Sequence, residues 1–251
     1  QYYRKEGEGM RYGMMPMLLA ADKEVDFSIH HLIGYQFMGQ TVYITTSHVC
    51  MLLIMVTIMI FAVVARKKIM QADEIPTGLQ NVVEFAVETL EGFVNSSMGT
   101  HGKKYICYVG TLFLYILLSN ISGLFGLRPP TADYGTTFSL ALITFVMIQY
   151  NNLKYNKIGA FTGLFQPIWF LFPINLIGEI ATPVSMSLRL FGNVMAGTVM
   201  MALYYGLLPL FAKIGIPAFL HVYFDLFSGA IQAYVFSMLT MVFITDKIGE
   251  A

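Results

Sequence analysis

From Leu164 to Ile248 the chain is almost continuously apolar, punctuated only by Pro167, Pro173, Pro183, Pro209 and Pro217. Gly206 to Pro217 reads as a bend, which leaves two long helices, roughly Pro173 to Leu208 and Pro217 to Lys247. At about 1.5 Å per residue each exceeds the ~30 Å hydrocarbon core of a bilayer, so each must tilt strongly or be broken. No soluble domain buries a stretch of this kind. With 56% of the 251 residues hydrophobic and 12% charged, the chain reads as a membrane protein throughout.

The rest of the sequence fills in one membrane domain over residues 1–251, without internal repeats or linkers. Residues 1–40 form a polar N-terminal segment that mixes charges, Gly and Met and has no apolar core of signal-peptide type; the chain starts at Gln1, so a processed or incomplete start is expected. A spanning helix is expected over 42–65, ending at Arg66-Lys67-Lys68, and the positive-inside rule makes that end cytoplasmic. After the start signal Ile75-Pro76-Thr77-Gly78, the segment 75–98 places Glu84, Glu88 and Glu91 on one helical face against an apolar one. Such a helix lies along the membrane surface or docks on another subunit. A spanning hairpin over 105–150 turns at Arg128-Pro129-Pro130 and carries lysines at both ends, Lys103-Lys104 and Lys154 with Lys157, on the side of Arg66. Residues 164–248 are the long pair.

The formal net charge is zero, and no motif suggests a nucleic-acid surface, so nucleic acid is excluded as a partner. Cys50 and Cys107 both sit inside apolar runs and read as packing residues.

Chemistry enters with one cation. Arg189 is the only basic residue between Lys157 and Lys213, and placing it near a bilayer centre costs at least ~2.5 kcal/mol, so it needs a partner or a water-filled cavity. A guanidinium stays charged at any ordinary pH, which makes Arg189 a poor proton carrier and a good electrostatic gate. Asn193 follows one turn later on the same face, and Gly192, Ala196 and Gly197 leave that side thin enough for another helix to approach. The alternative is a snorkelling arginine on a small-residue packing face. On the final helix, Asp225, Ser228 and Gln232 recur at i, i+3 and i+7, with His221 one turn earlier. This polar stripe should line a hydrated path or face a partner, because lipid would leave its groups unsatisfied. Its carboxylate can exchange a proton or bind a metal cation. Glu179 is a candidate for a channel mouth, and Ser119-Asn120 either pack between helices or line water.

Ser187-Leu188-Arg189-Leu190-Phe191-Gly192-Asn193 followed by Ala196-Gly197, and later Ile231-Gln232-Ala233-Tyr234-Val235-Phe236, resemble the two signature segments of ATP synthase subunit a. The resemblance extends upstream through Ile75-Pro76-Thr77-Gly78-Leu79-Gln80-Asn81, so it covers roughly Ile75 to the C-terminus. It implies an all-α membrane protein: one spanning helix, a surface helix, a spanning hairpin, and a last pair of helices lying nearly flat against a ring of c subunits. It also implies a mechanism. Two offset aqueous half-channels meet the ring on either side of Arg189, which pairs with the emptied ring carboxylate and blocks a leak. The implied partners are the c ring, the peripheral-stalk subunit b, other subunits of the complex, the lipid bilayer, and protons or sodium ions. No catalytic residue, resident metal or cofactor is expected, since nucleotide chemistry would lie in other subunits.

Arg189, Asn193 and Gln232 match the family's pattern directly. Where many relatives place Glu or His after the Ala-Gly pair this chain has Thr198, and seven residues before Gln232, where relatives carry His or Glu, it has Asp225. Asp225 preserves a titratable group, whereas Thr198 cannot exchange a proton at ordinary pH. The implied ion path thus comprises Asn193, Asp225, Gln232, Glu179, Ser228, His221, Thr198, Asn120 and Ser119 around the Arg189 gate, with the ion left open between proton and sodium. A bacterial plasma membrane is the expected home, with the mitochondrial inner membrane as the alternative. Two other classes compete. A self-contained secondary transporter would bind an anion at Arg189 and couple protons through Asp225, and a membrane scaffold would use these groups only to hold helices together.

Overall fold

A computed structural model of the chain describes residues 31–37, 40–70, 78–157, 159, 165, 169–207 and 216–249. The helix-start residues Ile75-Pro76-Thr77, the bend around Pro209, and the polar segment before His31 lie outside the described residues.

The first described element is not helical. Strands β1 (His31–Phe37) and β2 (Gln40–Thr45) pair antiparallel, with Phe37 opposite Gln40 and Tyr35 opposite Val42. This adds a hairpin to the expected all-helical plan and moves the start of the first long helix from Val42 to Thr46. Thr41 to Thr45 are β-branched or aromatic, residues that suit a pleated strand as well as an apolar span. A hydrogen bond between the Thr45 hydroxyl and His48 Nδ1, 2.6 Å, crosses the junction.

Helix α1 (Thr46–Met70) presents Leu52, Met59, Ile60 and Phe61 outward and buries Cys50 and Ile54. It stands at the edge of the bundle. Helix α2 (Leu79–Met98) has the expected amphipathic character. Val83, Val94 and Met98 are buried and Glu88 and Glu91 exposed, while Glu84 is half-buried and accepts from Gln80 Nε2 at 2.9 Å. Gly99, at φ +55, ends the helix in a conformation that a side chain would strain.

Helices α3 (Ile106–Ile121) and α4 (Tyr134–Asn156) form the expected hairpin. Its turn uses short 3-10 segments, a left-handed Gly126, and Pro129-Pro130. Asp133 caps α4 by accepting the Gly135 N–H at 3.0 Å. Helix α4 is long, at 23 residues, yet polar along its inner face, where Thr137, Thr144, Asn151 and Asn152 are buried. Tyr105 donates to Asn151 Oδ1 at 2.6 Å, and the Tyr108 hydroxyl bonds to that of Thr144 at 2.9 Å. In a bilayer, bonds of this kind and close packing must hold helices together, because lipid tails are as apolar as leucine.

Helix α5 (Phe172–Leu207) runs for 36 residues through Pro183, about 54 Å at the α-helical rise. After the gap come α6 (Ile216–His221), a π-helical segment (Val222–Ser228) and α7 (Gly229–Ile248) in one continuous rod. The first rod is unbroken, which leaves it tilt as the way to fit a bilayer, whereas the second changes helical pitch along its length. Helix α7 is central, packing on α2, α3, α4 and α5. One core joins Leu112, Ile116, Ala141, Met186, Leu190 and Phe236, and another joins Val94, Val109, Ile148, Met241 and Ile244. Among the described residues, four stretches are long and apolar enough to cross a membrane: Thr46–Lys67, Ile106–Phe125, Phe172–Gly206 and Phe219–Ile248. The hydroxyls and amides of α4 keep it out of that group. Both cysteines are free thiols, Cys50 buried with its Sγ 3.7 Å from Ser122 Oγ, and Cys107 exposed.

Candidate functional site

Alternate faces of α5 do different things. Pro183, Met186, Ser187, Leu190, Gly197 and Met201 turn inward. Leu188, Arg189, Gly192, Ala196, Met200 and Leu203 are exposed. Arg189 thus stands on an open helix face beside two small residues, and nothing lies within 4 Å of where a Cβ on Gly192 would be. The sequence grouping needs one correction. Gly197 does not share this open face; it lies against Phe224, whose Cβ would be 3.4 Å from an added methyl. Asn193 is half-buried and accepts from Ser228 Oγ at 2.7 Å, so it points toward the second rod.

Lysines mark one end of the bundle. Asn156, at the end of α4, donates from its side chain to the Lys247 carbonyl at 2.9 Å, and His101 meets the Tyr155 ring edge-on. At this end α4, α5 and α7 enclose an open cleft of about 730 Å³ lined by Asn152, Asn156, Glu179, Thr182, Asp246 and Lys247. A second cavity of about 220 Å³ shares Gly178, Thr182 and Phe243 with the first and reaches Arg189. Arg189 therefore lines an open cavity that adjoins the wider cleft.

Across the bundle the geometry tightens. Asn120, Asn193, Gly197, Phe224 and Asp225 surround a cavity of only about 10 Å³, near the lower limit for one water molecule. Asn120 donates to the Gly229 carbonyl at 3.1 Å and accepts from Thr131 at 2.8 Å. Gly229 allows this approach, since a Cβ there would fall 2.7 Å from that of Asn120. Gly123 does the same for Asp225, whose carboxyl atoms lie 3.1 to 3.3 Å from where its Cβ would be. The other side of Asp225 is held by His221 Nδ1 at 3.0 Å.

The structure thus brings Asn120, Asn193, Asp225, Ser228 and His221 together and sets Glu179 apart at the lysine end. Gln232 is buried against the core with its Nε2 lacking a partner among the described residues. The stripe Asp225, Ser228, Gln232 does not line one continuous path, because the π segment turns Asp225 and Ser228 relative to Gln232. Ser119 is fully buried and its carbonyl accepts from Ser122, a packing environment. Thr198 is exposed and bonds within its own helix, to the Val194 carbonyl at 3.0 Å. Sequence reasoning missed Gln149, whose Nε2 lies 2.7 Å from Glu179 Oε2, and treated Lys247 only as a helix end although it pairs with Glu179 Oε1. Neither contact has a signal in the sequence, the partners being 30 and 68 residues apart.

The family model described as ATP synthase A chain matches residues 48–245. The chain belongs to the ATP synthase subunit a family. Among curated relatives, the sodium-ion-specific ATP synthase subunit a of Propionigenium modestum is 44% identical over 187 residues, 65% of this chain and 63% of that protein. The chain thus covers a little under two thirds of that relative's length. ATP synthase subunit a of Priestia megaterium is 37% identical over 190 residues, 70% of this chain and 80% of the relative. That of Desulforamulus reducens is 36% identical over 222 residues, covering 86% and 82%. Family membership and the four apolar helices make this a membrane protein and a component of an ATP synthase complex rather than an enzyme on its own. The match spans every helix described above except the ends of α1 and α7.

Proposed function

We infer that this chain is the ion-translocating stator subunit of its ATP synthase, passing ions to and from a rotating c ring past an Arg189 gate. The observation that carries the reading is the position of Arg189. It stands on an exposed face with Gly192 and Ala196 and also lines a cavity that shares Gly178, Thr182 and Phe243 with the polar cleft. A fixed cation at that place attracts an ionised ring carboxylate and repels a cation seeking a direct passage. The lysine-end cleft is one half-channel, cytoplasmic by the positive-inside rule. Asn120, Asn193, Ser228, Asp225 and His221 form the other. In this half-channel Asp225 takes up and releases the ion, and its bond to His221 holds the carboxylate in place. Each elementary charge crossing the membrane supplies about 2.3 kcal/mol per 100 mV, the work the ring carries away.

The exposed apolar faces of α5 and of the π segment, including Leu188, Val199, Leu203, Tyr223 and Phe227, suit a c ring, and the outward side of α1 suits lipid or subunit b. The home membrane is a bacterial plasma membrane. Proton and sodium both fit a carboxylate relay, and the sodium-specific relative favours testing sodium directly. The test is ATP-driven ion uptake into liposomes containing the complete complex, with proton and sodium signals recorded separately. Wild type should pump and an assembled Arg189→Ala complex should not. Equal pumping by both would make Arg189 structural and end the gating account.

A further inference from the structure

Glu179 is one of two carboxylates lining the lysine-end cleft, and neither of its oxygens is free. Lys247 Nζ holds Oε1 and Gln149 Nε2 holds Oε2 at 2.7 Å, so one residue each from α7 and α4 clamps a side chain of α5. The pair is neither sealed nor fully wet: the side chains of Glu179 and Lys247 are 22% and 25% exposed. Glu179, Asp246 and Lys247 are the charged residues lining the cleft among the described residues. A cation moving toward Arg189 passes this carboxylate within a cleft that already contains a competing ammonium.

We propose that Lys247 is a tethered competitor for the transported ion, a positioning residue that keeps Glu179 from trapping the cation on its way to the ring. The proposal rests on the translocation reading above. An arriving proton or sodium ion must take Oε1 from the Lys247 ammonium, which keeps its own proton. The clamp therefore lowers the affinity of the cleft for cations and speeds their release. A bare carboxylate at this place would hold the ion too tightly to pass it on.

The experiment is ATP-driven uptake by the complete complex in liposomes with the lysine end outward, so that external ion concentration reads this cleft. External pH is varied in sodium-free medium and, separately, external sodium at fixed pH. For whichever ion drives uptake, K247Q should lower the half-saturating concentration several-fold, because the ion no longer has to displace an ammonium from Oε1. The maximal rate should fall with it, because release from the bare carboxylate is slower, K247R should behave as wild type, and K247Q should shift nothing in an E179Q background.

Assembly can be separated from charge with Lys247→Cys in a complex whose Cys50 and Cys107 are replaced. After assembly it is labelled with a cationic or a neutral thiol reagent of similar size, and the neutral adduct should show the lower half-saturation. An unshifted K247Q, or a loss of maximal rate in K247Q and K247R alike without a shift, would overturn the proposal in favour of a structural clasp. A silent Arg189→Ala beside an unshifted K247Q would overturn this proposal alone. Pumping by Arg189→Ala would overturn the translocation reading and this proposal with it.

Discussion

At the lysine end, α4, α5 and α7 stand apart around a cleft of about 730 Å³, whereas α3, α5 and the π segment close to about 10 Å³ around Asn120, Asn193 and Asp225. Side-chain size accounts for the difference. Long polar groups, Gln149, Glu179 and Lys247, bridge the helices at the wide end and hold them apart. Glycines at 123 and 229 let backbone and short polar groups meet directly at the narrow end, and Gly197 admits the Phe224 side chain. In the wide region water can carry an ion past any one side chain. In the narrow region the ion depends on the particular groups present, so single substitutions should tune transport in the first and disable it in the second.

The largest effect is expected where the two regions meet. Arg189→Lys should assemble and fail to couple, because a lysine can lose its proton and lacks the planar fork, and ATP-driven uptake into liposomes reads this directly. Next, Asp225→Asn should slow uptake by about 10²-fold, the loss typical of a positioned proton-transfer group, while Asp246→Asn in the wide cleft should leave the rate unchanged. Equal effects of the two would erase the distinction between the regions.

Smaller again is a packing effect. Gly229→Leu must push α3 from α7 and should cost about 1 to 3 kcal/mol, seen as a lower Tm of the complex. Gly178→Leu, with nothing within 4 Å of its added Cβ, should leave Tm where it is. The smallest effect is at Thr198, whose hydroxyl is spent within its own helix, so Thr198→Val should pump as wild type does. A loss of uptake there would restore to Thr198 the ion-path role suggested by its place after the Ala-Gly pair.

Much of the helical plan was legible because bilayer thickness and proline punctuation act on long runs: the hairpin turn at Pro129-Pro130 and the two long rods lie where the sequence puts them. The β-hairpin was not legible, since Thr41 to Thr45 satisfy an apolar window and a strand equally. Asn120, Asn193, Asp225 and Ser228 were found because each is a polar group in an apolar run. The separation of Gln232 from Asp225 and Ser228 was hidden, because the π segment changes the pitch on which the i, i+3, i+7 reading depends. The Glu179 clamp was hidden for a different reason: it is made by residues on three helices, and local periodicity carries no trace of it.

The central claim is that Arg189 separates two paths, and side-specific thiol labelling tests it most directly. Thr182→Cys and Asn193→Cys are introduced singly into a complex lacking Cys50 and Cys107, and membrane vesicles exposing the lysine end are treated with a membrane-impermeant thiol reagent. The account predicts that Thr182→Cys, which lines both cavities leading to Arg189, is labelled from this side and that Asn193→Cys is not. Labelling of both at the same rate would mean one continuous channel running past the arginine, which contradicts the account.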